Sequence, residues 1–401
     1  MVDHPGADIG FAGPVERNLQ PERGPALVML KQGLMPNTNG FRVAVLAGDG
    51  IGPEVIDPTL LLLEQVTHRA GSPSLSFEPL PAGAAHYVAT GEALPESTLA
   101  AARSADAILL GAMGDPSIRY PDGTEISPQL TLRFELGLYA GVRPVRSVPG
   151  IASSLADLRA ATLDFVLVRE STEGLFASYG KGMIENDSVA RETMVITRST
   201  SERLFDFTFR LAQRRKQDGR PGVVTCVDKA NVFSAFAFFR SIFNERATRF
   251  PEIKARHAYV DATALDMVRK PWTFDVLVTE NMFGDILSDL GAGLIGGMGM
   301  APSGDIGDEH AVFQPCHGSA PDITGTGKAN PTAAFLSGAM MLEWLAIQHR
   351  TPACGEAAAL LRKAIDRAFE KGTLITSEFG GNDSTGDVTR AVQRAIDQLA
   401  G

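Results

Sequence analysis

The stretch Asn281-Met282-Phe283-Gly284-Asp285-Ile286-Leu287-Ser288-Asp289 carries two aspartates four residues apart. In a helix that spacing stacks both carboxylates on one face, where like charges repel. The stretch follows residues 274–279, a run rich in β-branched residues that reads as a buried strand, and Gly284 reads as a tight entry into the helix. A third acid closes a similar strand end in Tyr259-Val260-Asp261. Three carboxylates converging at strand ends make a ligand set for a hard divalent cation such as Mg²⁺. Acidic residues in a first helical turn also complement the helix dipole, and that simpler reading stays open.

Cationic groups recur at other element ends. Arg133 falls on an amphipathic helix, Arg143 on the extended segment that Pro144 enforces behind it, and Arg169 at the end of the strand Val166-Leu167-Val168-Arg169-Glu170. Singly, each reads as a surface ion pair. Together, in an acidic chain, they suit a clamp for carboxylates, which arginine binds bidentately. Lys229 follows the strand Val223-Val224-Thr225-Cys226-Val227-Asp228, at the end where open α/β sheets bind ligands. A partly desolvated lysine there serves as a general base; a solvated lysine opening the helix of Phe233, Phe236 and Phe239 is the plainer alternative.

Two loops are built of small residues. Residues 317–331 form a long polar loop ahead of an apolar helix, and such a loop lets backbone N–H groups approach a ligand. His317 taken singly reads as a buried structural histidine. Gly48-Asp49-Gly50-Ile51-Gly52 lacks the last glycine of a dinucleotide fingerprint, and a tight strand-to-helix turn explains it equally well.

The elements that position these groups alternate, strand then helix, from Phe41 onward, which implies an α/β fold with a largely parallel core sheet. A length of 401 residues suggests two domains or one large unit with an inserted lobe. A net charge of −10 argues against nucleic acid as a main partner. Three scattered cysteines argue for a reducing compartment, the cytoplasm, and against a disulfide framework. No apolar run is long enough for a membrane span. Residues 1–39 read as a loosely ordered extension; Asp3, Asp8 and Glu16 spoil a transit-peptide reading.

As an ordered set these motifs resemble the β-decarboxylating dehydrogenases, the family of isopropylmalate, isocitrate, homoisocitrate, tartrate and D-malate dehydrogenases. The resemblance spans residues 41–400 and rests on the glycine loop, Leu132-Arg133, Arg143-Pro144, Arg169-Glu170, Asp228-Lys229-Ala230-Asn231, Tyr259-Val260-Asp261, residues 281–289 and residues 317–331. It implies a two-domain fold distinct from the Rossmann fold. A larger cofactor-binding domain would combine residues 40–138 with 297–401, and a smaller dimerisation and metal-binding domain would occupy 139–296. An arm near residues 175–195 would help build a homodimer whose active sites draw on both subunits.

By the same resemblance, Asp285 and Asp289 of one subunit and Asp261 of the other would hold Mg²⁺ or Mn²⁺. Arg133, Arg143 and Arg169 would hold the carboxylate that is later lost. Lys229 would take the hydroxyl proton as hydride leaves for a nicotinamide, and Asn231 would contact substrate. The cofactor would lie on His317, Gly318, Ser319, Ala320, Asp322, Ile323 and Asn330. Asp322 and Ile323 stand where users of the phosphorylated cofactor carry lysine and tyrosine; a carboxylate there accepts from ribose hydroxyls and repels a 2′-phosphate, so NAD is expected.

This chain departs from the family pattern twice. Phe176 replaces the tyrosine implied to protonate the enol, leaving Tyr179 or water to do so, or else oxidation without decarboxylation. Ser127 and Gln129 precede Arg133 on the segment that reads the substrate's variable group, where isopropylmalate enzymes place leucines. Hydroxyl and amide groups left unpaired against an isopropyl group disfavour it, so a polar 2-hydroxy diacid is expected over 3-isopropylmalate. A non-catalytic regulatory subunit is the least favoured reading, because every candidate acid, lysine and arginine is present.

Overall fold

The expected alternation of buried strands and amphipathic helices is realised in a computed structural model that describes residues 40–400. The extension over residues 1–39 lies outside the described residues. The strands are β1 (Phe41–Gly48), β2 (Leu75–Pro79), β3 (Ala107–Ala112), β4 (Ala140–Arg146), β5 (Asp164–Glu170), β6 (Met183–Glu185), β7 (Val189–Arg191), β8 (Val223–Asp228), β9 (Lys254–Tyr259), β10 (Val276–Thr279), β11 (Pro302–Ile306) and β12 (Ala311–Pro315). The α-helices are α1 (Gly52–Arg69), α2 (Ala84–Thr90), α3 (Glu96–Ser104), α4 (Pro128–Glu135), α5 (Arg198–Gln217), α6 (Ser234–Ala247), α7 (Val260–Arg269), α8 (Asn281–Leu294), α9 (Thr332–Gln348), α10 (Pro352–Phe369) and α11 (Thr385–Ala400).

Ten strands make one sheet in the order β2-β1-β3-β12-β11-β4-β5-β10-β8-β9. β4 and β11 run against their neighbours in the middle, and the strands outside them pair in parallel on both sides. The sheet is thus largely parallel, as expected, with an antiparallel seam at its centre. β3, β10, β11 and β12 are buried along their whole lengths, the mark of strands covered on both faces. α9 is buried nearly all round and behaves as a core helix rather than an amphipathic one.

The glycine loop after β1 is a packing junction. A Cβ on Gly48 would stand 1.9 Å from the Ala112 carbonyl oxygen, and one on Gly50 would stand 2.1 Å from that of Ser319. Between them Asp49 accepts from the backbone N–H groups of Ala84, Ala85 and Gly114. The loop's composition is explained by backbone contact, and it locks the start of α1 to the loop of Ser319. Among the described residues no helix is long and apolar enough to cross a membrane.

Candidate active site

The C-terminal ends of the central strands surround a cleft of about 370 Å³. Arg133 reaches it from α4, Arg143 from β4 and Arg169 from the end of β5, and Asp285 and Asp289 line it from α8. The three arginines and two aspartates predicted from sequence therefore meet in one place. Gln129, Phe176, His317 and Gly318 complete the part of the lining that sequence foresaw.

Each arginine is buried and held by an acid or amide. Arg133 Nε donates to Asp305 Oδ2 at 2.9 Å, and Arg143 stands 3.5 Å from Asp305 Oδ1. Gln314 Nε2 donates to the same Asp305 Oδ2 at 3.1 Å. Burial alone would raise the Asp305 carboxyl, but Arg133 and Arg143 more than offset it and hold it below the usual carboxylate range. Arg169 donates through Nε and a terminal nitrogen to Asn281 Oδ1, at 2.9 and 2.6 Å, and pairs with Asp285. Burial, with Arg133 alongside, pulls the Arg169 guanidinium down to about 10.

α8 starts earlier than the sequence suggested. Glu280 is its N-cap, accepting from the backbone N–H groups of Met282 and Phe283, so Asp285 lies beyond the first turn. Gly284 is inside the helix rather than at its entry. A Cβ there would stand 2.6 Å from Arg169 Cγ, so this glycine lets Arg169 lie flat against α8. Asp289 titrates above the usual carboxylate range, chiefly through burial and then through the charge of Asp285. Two neighbouring carboxylates, one of them inclined to retain a proton, make a pair that a divalent cation would stabilise.

Lys229 and Asp261 are not in this cleft. Lys229 Nζ donates to Asp261 Oδ1 at 2.6 Å, across the adjacent ends of β8 and β9, and Asp261 is exposed. Accordingly, no group of three potential metal ligands forms among the described residues of one chain. Asp228, fully buried and gripped by Arg240 at 2.8 and 2.6 Å, fixes the turn that presents Lys229. Asn231 is exposed on the same turn.

The cofactor candidates lie beside the cleft. His317 Nδ1 stands 3.0 Å from the Gly318 carbonyl oxygen and so carries the proton, leaving Nε2 as a buried acceptor without a partner. Burial holds the His317 pKa below the usual imidazole range. Ser319 and Ala320 line a smaller cavity of 230 Å³ with Ser127 and Gln129, and Ala320 holds a left-handed φ of +42°. Asp322 is exposed on a short 3₁₀ turn with Ile323, and no hydrogen bond engages its side chain among the described residues. Asn330 is committed elsewhere: its Oδ1 accepts from Thr332 and its Nδ2 donates to Glu378 at 3.1 Å.

Ser127 sits at the N-cap of α4 without capping it, and among the described residues its hydroxyl makes no hydrogen bond. Gln129 Oε1 is buried and makes no hydrogen bond among the described residues. Phe176 stacks its ring 5.3 Å from the Arg169 guanidinium, while Tyr179 is exposed and outside the cleft lining. Asp305, Gln314 and Cys316 were missed by sequence reasoning. No local signal marks Asp305, because only pairing with β4 and β12 makes Pro302-Ser303-Gly304-Asp305-Ile306 a buried strand in which an acid must be paired.

Comparison with known proteins agrees with this geometry. The family model described as isocitrate/isopropylmalate dehydrogenase matches residues 42–392. The 3-isopropylmalate/3-methylmalate dehydrogenase of Methanocaldococcus jannaschii is 41% identical over 88% of this chain and 98% of its own. The 3-isopropylmalate dehydrogenase of Moorella thermoacetica is 41% identical over 83% and 91%. Among solved structures, isocitrate dehydrogenase from Methylococcus capsulatus superposes with a TM-score of 0.77 at 35% identity, covering 89% of this chain and 99% of that one. A β-decarboxylating dehydrogenase from Thermococcus kodakarensis gives 0.73 at 40% identity, covering 90% and 97%. Sequence motifs, sheet order and site thus converge, and the chain belongs to the isocitrate/isopropylmalate dehydrogenase family of oxidoreductases.

Proposed function

We propose that the protein oxidises a polar 2-hydroxy dicarboxylic acid with NAD and a divalent cation, and that β-decarboxylation follows. The observation that carries the diacid is the arginine trio, three buried guanidiniums opening on one cleft. Arg133, Arg143 and Arg169 bind a carboxylate and orient the substrate. Asp285 and Asp289, with Asp261 of the partner subunit, offer the hard oxygen donors that Mg²⁺ or Mn²⁺ takes. Such a cation, when bound, supplies Lewis acidity to the substrate's oxygens. Lys229 of the partner subunit takes the hydroxyl proton. Asp322 accepts from the ribose of NAD, and the partnerless Nε2 of His317 offers the cofactor a further acceptor.

The shared-site reading has support on the surface. Leu265, Val268, Met282 and Ile286 leave an apolar strip exposed on α7 and α8 beside Asp261. The β6–β7 hairpin, turning on Asn186 and Asp187, exposes Met183, Ile184 and Val189 in the expected arm. Residues 40–138 with 297–401 form one domain in this reading and 139–296 the other; β1 to β3 with β11 and β12 lie on one side of the seam, and β4, β5 and β8 to β10 on the other.

The polar preference rests on Gln129, which lines the cleft and whose buried Oε1 has no hydrogen-bond partner among the described residues. A second reading, 3-isopropylmalate as substrate, is favoured by the relatives named above. The test is kcat/KM for malate, tartrate and isocitrate against 3-isopropylmalate in wild type and Gln129→Leu. A polar acid should lead in wild type, and the variant should shift the ratio at least tenfold toward isopropylmalate, the size of effect that one unpaired polar group produces. Isopropylmalate leading in wild type would overturn the polar preference and leave the diacid reading standing.

A further inference from the structure

A cavity larger than the arginine cleft is lined by other described residues. A cavity of 550 Å³ opens between α5 and α9. Its floor comes from β4, β5, β11 and β12, and three of these strands, β4, β5 and β12, also line the cleft. Successive residues of a strand point to opposite faces. Val142, Ile306 and Phe313 floor this cavity, and their sequence neighbours Arg143, Asp305 and Gln314 surround the arginine clamp. The two sites lie back to back across one sheet.

The cavity has an apolar body and a charged rim. Phe207 and Leu211 of α5 face it from one side, and Met340 and Trp344 of α9 from the other. Five arginines reach the rim, and four are neutralised. Arg146 pairs with Asp366, Arg215 with Asp164 and Asp275, Arg220 with Asp164, and Arg362 with Glu343. Arg214 differs. It is partly buried, and among the described residues no hydrogen bond or carboxylate within ion-pair distance satisfies it. Glu343 is held by Arg362, Asp218 is exposed one turn along, and both act on Arg214 by charge at a distance without forming an ion pair with it. Burial, with Arg210 nearby, disfavours the Arg214 charge by more than Asp218 and Glu343 offset from a distance, so an anion in direct contact would stabilise it.

We propose that this cavity is a second binding site, for a monocarboxylic acid with a branched or aromatic apolar body, its carboxylate on Arg214. One free guanidinium matches one carboxylate bidentately, and the volume suits a small organic molecule. A dianionic phosphate would ask for more cationic groups than the rim leaves free.

The test is isothermal titration of the full-length protein with 4-phenylbutyrate, and with 4-phenylbutanol as the same body without the acid. Two variants probe the site without entering the core. Arg214→Gln breaks no hydrogen bond, and Ile347→Glu adds a negative charge to an exposed residue at the mouth. Binding of the acid should weaken at least tenfold in each variant and at least tenfold for the alcohol. It should persist in Arg133→Gln, which disables the clamp. Binding lost in Arg133→Gln and kept in Arg214→Gln would put the acid in the arginine cleft and overturn the proposal, as would no binding by wild type at millimolar probe.

Discussion

Replacing Asp305 tests how the arginine clamp is held. This carboxylate is 1% exposed, receives Arg133 and Gln314 on one oxygen and faces Arg143 with the other. Asp305→Ala strands two guanidiniums that are 8% and 6% exposed, with the buried Arg169 beside them. Removing one partner of a buried pair costs about 3–5 kcal/mol. Asp305→Asn keeps the shape and one acceptor, so its cost should fall to about 1.5–3 kcal/mol, the value of a charged hydrogen bond. The sign of ligand linkage distinguishes a clamp from a plain structural ion pair. Two cations without their internal counter-charge, Arg133 and Arg143, gain more from an added dianion, so malonate should stabilise Asp305→Asn more than it stabilises wild type. Denaturant midpoints with and without malonate measure both effects. A loss below about 1 kcal/mol for the alanine variant, or equal stabilisation of wild type and Asp305→Asn by malonate, would refute the assignment.

Two further outcomes follow from single residues. In Gly284→Ala the gain in helix propensity is about 1 kcal/mol, but the new methyl meets Arg169 Cγ, Cβ and Cα at 2.6, 2.7 and 3.2 Å. Because a Cβ cannot rotate away, overpacking should win by about 1 kcal/mol, and KM for the diacid should rise as Arg169 is displaced. His317 has a folded pKa below its unfolded 6.5, so below pH 6.5 the unfolded chain takes up a proton that the folded chain resists. Its contribution to stability is therefore full above 6.5 and declines as the pH falls through that value toward the folded pKa. Melting curves of wild type and His317→Gln should converge on acidification below pH 6.5, and parallel curves would contradict the burial argument.

Most of the cleft was legible because chemistry-bearing residues stand on the strands and on the helices beside them, which one sheet gathers from distant sequence. Arg133, Arg143, Arg169, Asp285 and Asp289 came together for that reason. The seam strand β11 was not legible, since Pro302, Ser303, Gly304 and Asp305 carry no strand signal and only pairing with β4 and β12 makes them one. Gly284 was misread because a glycine required by a neighbour's side chain looks, in sequence, like one required by a turn. Asn330 was expected at the cofactor by resemblance, and its side chain also serves the start of α9. Lys229 and Asp261 were expected at the cleft through a second subunit, and in the single chain they pair with each other at 2.6 Å.

The most direct measurement is NADH formation by the purified protein with D-malate, tartrate isomers, isocitrate or 3-isopropylmalate, with Mn²⁺ or Mg²⁺ and then with excess EDTA, counting CO₂ released per NADH. We expect turnover of a diacid with NAD, its loss in EDTA, recovery on adding the cation back, and one CO₂ per NADH. Turnover that survives EDTA, or no turnover of any diacid, would contradict the assignment of Asp285 and Asp289 beside the arginine clamp as the catalytic centre.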